Sequence, residues 1–223
     1  MAAPAYIERH YAALPREGGF ASRCAMALGG VDWAGKHVLD VGCRRGKGAY
    51  KLSERVGADG LVVGVDWSPM FVEAAREGVA AALARSGLTA SNLEFRQGYP
   101  EDLAAAGIAD GSQDVVYLNN GFAHFADPAQ ALRECFRALA PGGLLVLEVV
   151  TTTADELVAV TRQLTAAGFP DPAVMASEPL LVAEESGAGL ASSASSAPSQ
   201  LGAATSAAVP ASAVLHARKP QCA

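Results

Sequence analysis

The sequence predicts an α/β protein built on a doubly wound, mostly parallel seven-stranded sheet with helices on both faces. Short apolar runs alternate along the chain with longer segments of helical periodicity, a pattern typical of strands joined by crossover helices. Glycine or proline marks many of the boundaries between the two patterns. The chain has 223 residues, of which 51% are hydrophobic, which is enough for one domain with a substantial core.

Each element follows from its own local pattern. The predicted strands are 37–41, 61–65, 93–96, 114–118, 144–150, 179–183 and 213–220. The predicted helices are 4–15, a short one from Arg23 to Leu28, 47–56, 69–86, 128–139 and 154–167.

In the first strand, 37–41, Val38, Leu39 and Val41 form a short apolar run with a β-branched bias, as expected of a strand that is buried on both faces. Gly42, Gly46 and Gly48 then allow the backbone to turn tightly and to approach a ligand closely. The helix that follows ends at Gly57. Strand, glycine turn and helix in this order indicate a site for a nucleotide-like cofactor.

The second strand, 61–65, leads directly into Asp66, whose carboxylate can accept hydrogen bonds from both hydroxyls of a ribose. Ser68 and Pro69 have the residue types of an N-cap and a first helical position, so they begin the next helix. These features predict a ligand with an adenosine-like sugar. A nicotinamide dinucleotide and S-adenosylmethionine both fit this description.

The later elements have clear boundaries up to about residue 168. Asp127 is a suitable N-cap and Pro128 a suitable first residue for the fifth helix. Pro141-Gly142-Gly143 turns the chain into strand 144–150, and the next helix ends at Gly168.

The pattern changes near the C-terminus. From 186 to 212 the chain consists almost entirely of Ala, Ser and Gly and has no charged residue. Such small side chains bury too little apolar surface to form a core, so the segment is predicted to be a flexible insertion before the last strand.

Asp40 and the glycine spacing separate the two cofactor classes. Asp40 lies two residues before Gly42, where a negative charge would repel a pyrophosphate but would suit the ammonium and sulfonium groups of S-adenosylmethionine. Gly42, Gly46 and Gly48 also fail to match the G-x-G-x-x-G pattern of dinucleotide sites. The residues therefore favour S-adenosylmethionine.

Four stretches of the chain carry a family resemblance. VLDVGCRRGKG, VVGVDWSP, GYPEDL and ALAPGGLLVLEVV resemble the successive motifs of S-adenosylmethionine-dependent methyltransferases with the Rossmann-like fold. The resemblance implies S-adenosylmethionine as cofactor and an antiparallel last hairpin. It also implies one domain over 1–223, with a cofactor-binding core over 31–150 and an N-terminal helical lid over 1–30. The alternative for the N-terminal helix is that it packs for stability alone.

The resemblance assigns roles to individual residues. Asp40 and the Gly42–Gly46 turn would hold the methionine portion, Asp66 the ribose, and Trp67 the adenine. The full set implied to bind the cofactor is Asp40, Gly42, Cys43, Arg44, Gly46, Asp66, Trp67, Tyr99, Pro100, Glu101 and Asn119. Arg44 replaces the usual middle glycine of the turn. It would either pair with the methionine carboxylate or point to solvent, and solvent is favoured because a bulky side chain would crowd the cofactor.

Within the superfamily, the cofactor half is most similar to the arsenite methyltransferase group. LDVGCRRGKGAYKLSERVG and GYPEDL match that group over roughly residues 37–150. The cysteine expected to bind arsenic aligns with Asn120, and the later domain with its partner cysteine has no counterpart in 151–223. Because arsenite strongly prefers thiolates, a different small-molecule acceptor is predicted.

Methyl transfer from a sulfonium depends mainly on alignment and on exclusion of water, so catalytic residues are harder to predict than cofactor residues. His124 follows the fourth strand and is the first candidate for a general base, with a surface histidine as the alternative. Asn120, Tyr11 and His10 are weaker candidates for the same pocket. A non-catalytic S-adenosylmethionine-binding protein and a nicotinamide-dependent oxidoreductase are the rival functions.

Composition limits the partners. The net charge is −6 and the basic residues are scattered, which argues against nucleic acid. No apolar run approaches the roughly 20 residues of a membrane helix, and the chain lacks a signal-peptide pattern, so a cytoplasmic protein is expected. Cys24, Cys43, Cys135 and Cys222 lack paired spacing, so neither a metal site nor a disulfide framework is predicted. The sequence does not indicate an oligomeric state.

Overall fold

The computed structural model describes residues 4–14, 26, 28–179 and 211–221. Seven strands form one sheet in the order β3-β2-β1-β4-β5-β7-β6. The strands are β1 His37–Val41, β2 Leu61–Asp66, β3 Leu93–Gln97, β4 Gln113–Asn119, β5 Leu139–Thr151, β6 Ala173–Pro179 and β7 Ala211–Arg218. The helices are α1 Ala5–Ala13, α2 Lys47–Val56, α3 Pro69–Glu77, α4 Val79–Ser86, α5 Pro128–Ala138 and α6 Ala154–Ala166, with a 3-10 turn at Phe122–His124.

The sheet pairing confirms the predicted fold class. The neighbours from β3 through β5 pair in parallel, whereas β7 pairs antiparallel to both β5 and β6. The predicted antiparallel last hairpin is therefore confirmed. In a sheet of this kind, ligands bind where the strand order reverses, at the carboxyl ends of the strands. Here that point lies between β1 and β4.

Alternate side chains of the central strands enter two separate cores. Leu39 and Val41 pack in the core that includes α5 and α6, whereas Val38 packs on the other face with α2. Tyr117 of β4 lies on the same face as Val38 and is fully buried. Both faces of the central strands are thus covered, which explains their continuous apolar runs.

The predicted helix 69–86 is wrong in one respect, because it is broken at Gly78 into α3 and α4. A Cβ on Gly78 would lie 2.1 Å from the hydroxyl oxygen of Tyr50. That hydroxyl donates a 2.6 Å hydrogen bond to the carbonyl of Ala75 in the last turns of α3. The break therefore reflects close packing against α2, which helical periodicity does not reveal.

The C-terminal boundaries also differ from the sequence prediction. The sixth strand begins at 173 and is described as far as 179, whereas residues 180–183 of the predicted strand 179–183 lie outside the described residues. Its side chains from 173 to 178 are exposed, so no apolar alternation marks it. Ala211 and Ser212, predicted to belong to the insertion, are the first residues of β7. Residues 186–210 of that insertion lie outside the described residues, as does most of the predicted Arg23–Leu28 helix; Met26 and Leu28 are described and are not helical.

Among the described residues, no helix has the length and apolar character that crossing a membrane would require.

Candidate functional site

A cleft of about 1380 Å³ opens at the carboxyl ends of the parallel strands. Sites for one small molecule usually measure roughly 300–1000 Å³, so this cleft has room for two. The glycine-turn half, at the ends of β1, β2 and β3, is lined by Asp40, Gly42, Cys43, Arg44, Trp67 and Tyr99. The α6 half, at the ends of β4 and β5, is lined by Asn119, Asn120, Phe122, His124, Val149, Val150, Val160 and Gln163.

The glycine turn is fixed by backbone hydrogen bonds to the neighbouring strand. The N–H groups of Gly42 and Cys43 both donate to the carbonyl oxygen of Val65, at 2.8 and 3.2 Å. Gly46 is the N-cap of α2 and has a left-handed backbone with φ of 76°. A Cβ there would lie 2.8 Å from the ring of Phe95, so Gly46 contributes close packing and does not line the cleft.

Asp40 supplies a buried acid to the glycine-turn half. Its side chain is only 4% exposed, and it accepts a hydrogen bond from the backbone N–H of Ala49 in the first turn of α2. Burial, reinforced by the nearby charge of Asp66, raises the pKa of Asp40 to about 7. A bound cation would favour the ionised form, so this position is suited to an ammonium group.

Asp66 is fully buried beneath the cleft rather than at its surface. Its two carboxylate oxygens accept 2.8 Å hydrogen bonds from the backbone N–H groups of Arg44 and Ser68. Burial raises its pKa to about 6, although these hydrogen bonds favour the ionised form. In this structure Asp66 holds the glycine turn against the start of α3, and contact with a ribose stays a prediction.

Arg44 lies against the wall of the cleft, not out in solvent as the sequence favoured. Its side chain is half-buried, and its guanidinium lies 5.3 Å from the centre of the Phe71 ring. Its backbone is left-handed, with φ of 50°. The conformation is the one that glycine adopts freely and that costs an L-residue roughly 1–2 kcal/mol.

Replacing Arg44 with Gly is expected to relieve this backbone strain. Arg45→Gly is the matched control, because the Arg45 guanidinium also lies over Phe71, at 5.4 Å, while its backbone is not left-handed. Both variants lose the ring contact, and Arg44→Gly also loses the charge that favours the ionised form of Asp66, so the comparison is made at pH 4.5, where Asp66 is protonated and the difference reports the backbone. We expect Arg44→Gly to be more stable to urea than Arg45→Gly by about 1–2 kcal/mol in free energy of unfolding. Equal stabilities would show that the turn carries no strain at Arg44.

An aromatic cluster closes the mouth of the glycine-turn half. Tyr11 of α1 stacks on Trp67 with ring centroids 4.5 Å apart, and its ring lies 5.4 Å from that of Tyr99. The Tyr11 hydroxyl donates a 2.8 Å hydrogen bond to Oε1 of Glu101, and burial together with this carboxylate raises the pKa of the phenol. The N-terminal helix therefore covers Trp67, the residue predicted to contact adenine.

Glu101 and Pro100 are buried and do not line the cleft. Oε1 of Glu101 also accepts the backbone N–H groups of Ala126 and Asp127, at 2.8 and 3.1 Å. Glu101 thus joins α1 to the segment that begins α5, and the edge contact with adenine predicted for Pro100 and Glu101 stays a prediction.

His124 lies in the α6 half, at the end of the 3-10 turn. Burial lowers the pKa of His124, with smaller contributions from His10 and Arg44, so the imidazole is neutral at pH 7. Nε2 of His10 lies 2.8 Å from the carbonyl oxygen of His124, which gives α1 a second attachment to the core. Position and protonation state both suit a general base.

Sequence reasoning missed a buried polar pair on the floor of the cleft. Tyr117 lines the cleft, and its hydroxyl donates a hydrogen bond to Oε1 of Glu148 on β5. Both side chains are fully buried. The sequence does contain an indication of this pair, since Glu148 is the single charged residue in the apolar run 144–150.

Metal ligation has no support in the described part of the chain, where no group of three or more His, Cys, Asp or Glu side chains could hold an ion. Cys135 is fully buried in the core, which agrees with its predicted packing role. Cys43 lines the cleft, but burial raises the pKa of its thiol well above the usual value, so it stays protonated.

Comparison with curated proteins finds methyltransferases. The chain is 40% identical over 126 residues to an arsenite methyltransferase of Aquipseudomonas alcaligenes, a match that covers 55% of this chain and 36% of that protein. It is 36% identical to the human arsenite methyltransferase, over 53% of this chain and 32% of the relative. A demethylmenaquinone methyltransferase of Lactococcus lactis is 35% identical over 52% of this chain and 42% of that protein. The chain thus spans about a third of the length of these two arsenite methyltransferases.

Solved structures share the fold. An arsenic(III) S-adenosylmethionine methyltransferase from Chlamydomonas reinhardtii superposes with a TM-score of 0.67 at 24% identity, covering 99% of this chain and 75% of that one. A [4+2]-cyclase superposes with a TM-score of 0.59 at 19% identity, covering 85% of this chain and 77% of the cyclase. At these identities the likeness establishes the fold alone.

A family model described as a methyltransferase domain matches residues 33–183. This range contains the glycine turn, Asp66, the GYPEDL turn and the α6 half of the cleft. The identification that the sequence motifs predicted is confirmed, and S-adenosylmethionine is the cofactor that it implies. Because the match extends over more than half of the sequence, the chain belongs to this family of methyltransferase domains.

Proposed function

We propose that the protein transfers a methyl group from S-adenosylmethionine to a small-molecule acceptor. The observation that carries the proposal is the buried Asp40 at the glycine-turn half of a cleft large enough for two ligands. The residues present fit the cofactor: Asp40 suits the ammonium group, and the N-terminus of α2, which begins at Lys47, suits the carboxylate. Trp67 and Tyr99 provide aromatic surfaces for the adenine.

The cofactor supplies an activated methyl group on its sulfonium. Apart from Asn119, which is predicted to contact the cofactor, the residues of the α6 half would hold the acceptor next to the methyl group. His124 would take a proton from a hydroxyl or amine nucleophile. Helix α1, attached through Tyr11 and His10, would exclude water from the cleft. This proposal gives α1 the role of a lid, and most of the rest of the predicted lid over 1–30 lies outside the described residues.

Arsenite is the acceptor named for two of the similar proteins, but the described part of the cleft has no reactive thiolate to bind it. Cys43 is the one cysteine among the described lining residues, and its thiol is protonated. By the resemblance to arsenite methyltransferases, Asn120, a carboxamide, stands where the arsenic-binding cysteine is expected. An organic acceptor therefore fits better than a thiophilic metalloid. Cytoplasmic location and the absence of nucleic-acid partners stay predictions.

Calorimetric titration with S-adenosylhomocysteine and, separately, with NAD tests the cofactor assignment. We expect S-adenosylhomocysteine to bind with one site per chain and NAD to bind at least about 100-fold more weakly, because Asp40 would repel the pyrophosphate. Tighter binding of NAD would support the oxidoreductase instead. If S-adenosylhomocysteine binds but a broad acceptor screen yields no methylated product, the non-catalytic alternative is favoured.

A further inference from the structure

We propose that the α6 half of the cleft selects acceptors that combine an apolar body with a hydrogen-bond donor, and that Oδ1 of Asn120 receives that donor. The inference rests on the proposed function, because it concerns the second ligand of the same cleft. It names the substrate class as hydroxyl- or N–H-bearing apolar molecules, for which phenols are the simplest probes.

The conformation of Asn120 is fixed by the protein before any ligand binds. Its backbone N–H donates a 2.9 Å hydrogen bond to the carbonyl of Glu148, and its φ of 52° is left-handed. Its side-chain Nδ2 donates a 2.8 Å hydrogen bond to Oδ1 of Asn119. These contacts hold the carboxamide in one orientation at the end of β4.

In that orientation Oδ1 of Asn120 is buried and has no hydrogen-bond partner among the described residues. A buried acceptor without a partner costs roughly 1–3 kcal/mol, so native proteins rarely leave one except at a functional position. The same residue lines the cleft. The unpaired oxygen and its position at the cleft therefore point to a donor on the ligand.

The residues around Asn120 indicate that the rest of the acceptor is apolar. Phe122, Val149, Val150 and Val160 contribute apolar surface to the α6 half. Val150 is 45% exposed, which is unusual for a large apolar side chain in the sheet and leaves it available to a ligand. The charge of Glu156, which also lines the cleft, is already engaged by the backbone N–H and the hydroxyl of Thr152. An apolar molecule with a neutral donor fits this lining better than an ion.

Two probes that differ in one hydrogen-bond donor test the inference directly. 2-Naphthol has a hydroxyl, whereas 2-methoxynaphthalene has the same ring system with no donor. Their binding is measured by calorimetry in the presence of saturating S-adenosylhomocysteine. We expect the naphthol to bind at least about tenfold more tightly, which is the scale of satisfying one buried acceptor.

Two variants of Asn120 separate the effect of the side-chain carboxamide from the effect of the backbone conformation. Asn120→Gly keeps the left-handed backbone but removes the acceptor, and it should reduce the preference for 2-naphthol to less than about threefold. Asn120→Asp tolerates the same backbone and keeps an acceptor oxygen but loses the Nδ2 donor to Asn119, so its preference should lie between those of Asn120→Gly and wild type. Affinity for S-adenosylhomocysteine should stay within about threefold of wild type in both variants.

Equal binding of the two probes to wild type, or an undiminished preference in Asn120→Gly, would overturn the role of Asn120. Binding of neither probe while S-adenosylhomocysteine binds would overturn the apolar substrate class. If S-adenosylhomocysteine itself fails to bind wild type, the proposed function fails. The probes are then titrated against the free protein, where the same preference is expected because Asn120 belongs to the protein.

Discussion

Replacing Asp40 with Asn is expected to weaken binding of S-adenosylhomocysteine by about 10- to 100-fold at pH 8. The substitution keeps the shape of the side chain and an oxygen for the N–H of Ala49, but it removes the charge that faces the cleft. A hydrogen bond to a charged group contributes roughly 1.5–3 kcal/mol, which sets the expected loss. Asp59→Asn is the control, since Asp59 is exposed in the turn before β2 and should leave affinity unchanged.

The loss should depend on pH in a defined direction. Because burial raises the pKa of Asp40 to about 7, the wild-type side chain is ionised at pH 8 and protonated at pH 5.5. The affinity ratio between wild type and Asp40→Asn should therefore fall toward one as the pH is lowered. A ratio that is constant from pH 5.5 to 8 would show that the charge of Asp40 does not contact the ligand.

The raised pKa of Asp40 lowers the stability of the ligand-free protein at high pH, although the ionised form favours ligand binding. The pKa of Asp40 is about 7 in the folded protein and 3.8 in the unfolded chain. Between these two pH values the folded protein keeps a proton on Asp40 that the unfolded chain has lost. The contribution to stability is complete below about pH 4 and is lost as the pH rises through about 7. Asp40→Asn should therefore raise the Tm of the free protein at pH 8 while it lowers affinity. Asp66, whose pKa is raised to about 6, reinforces the trend in wild type.

Replacing His124 with Ala is expected to slow methyl transfer about 10²- to 10⁴-fold, the range for loss of a general base. Affinity for S-adenosylhomocysteine should be nearly unchanged, because His124 lies in the α6 half. The assay measures conversion of 2-naphthol to 2-methoxynaphthalene with S-adenosylmethionine as donor. During this reaction the naphthol hydroxyl turns from Oδ1 of Asn120 toward His124, the naphthol oxygen bonds to the methyl carbon, the carbon–sulfur bond breaks, and the naphthol proton passes to His124.

The pH profile provides a second readout of His124. Since burial lowers its pKa, the imidazole becomes neutral at a lower pH than an ordinary histidine, and wild-type turnover should rise with pH and level off by neutral pH. His37→Ala is the control, because His37 is exposed at the amino-terminal end of β1, and the cleft lies at the carboxyl ends of the strands. Wild-type turnover in His124→Ala would remove this histidine from the mechanism.

The order and type of the central elements could be predicted because local chemistry specifies them. Strand 37–41 contains the apolar residues Val38, Leu39 and Val41 and is followed by a glycine. Ser68 and Asp127 are N-caps whose side chains accept hydrogen bonds from the backbone N–H groups of Phe71 and Gln130. β6 could not be placed, because an exposed edge strand requires no apolar pattern.

The candidate site was predicted by position but not by orientation. Placing Asp40 and His124 at the cleft required only the rule that the carboxyl ends of parallel strands meet at one edge. The burial of Asp66 and the Tyr11–Glu101 hydrogen bond depend on packing between distant segments, which single-sequence patterns do not encode. The orientation of Arg44 could not be predicted for the same reason, since its contact with the Phe71 ring depends on packing between segments that are distant in sequence.

A crystal structure of the protein with S-adenosylhomocysteine is the most direct test of the central claim that the glycine-turn half binds the cofactor. We predict that the amino group of the ligand lies within hydrogen-bond distance of the Asp40 carboxylate, and that the adenine contacts Trp67. The Tyr11 ring, which stacks on Trp67 at 4.5 Å without ligand, should shift to admit it. A ligand bound outside this half, or an Asp40 carboxylate that faces no ligand atom, would contradict the account.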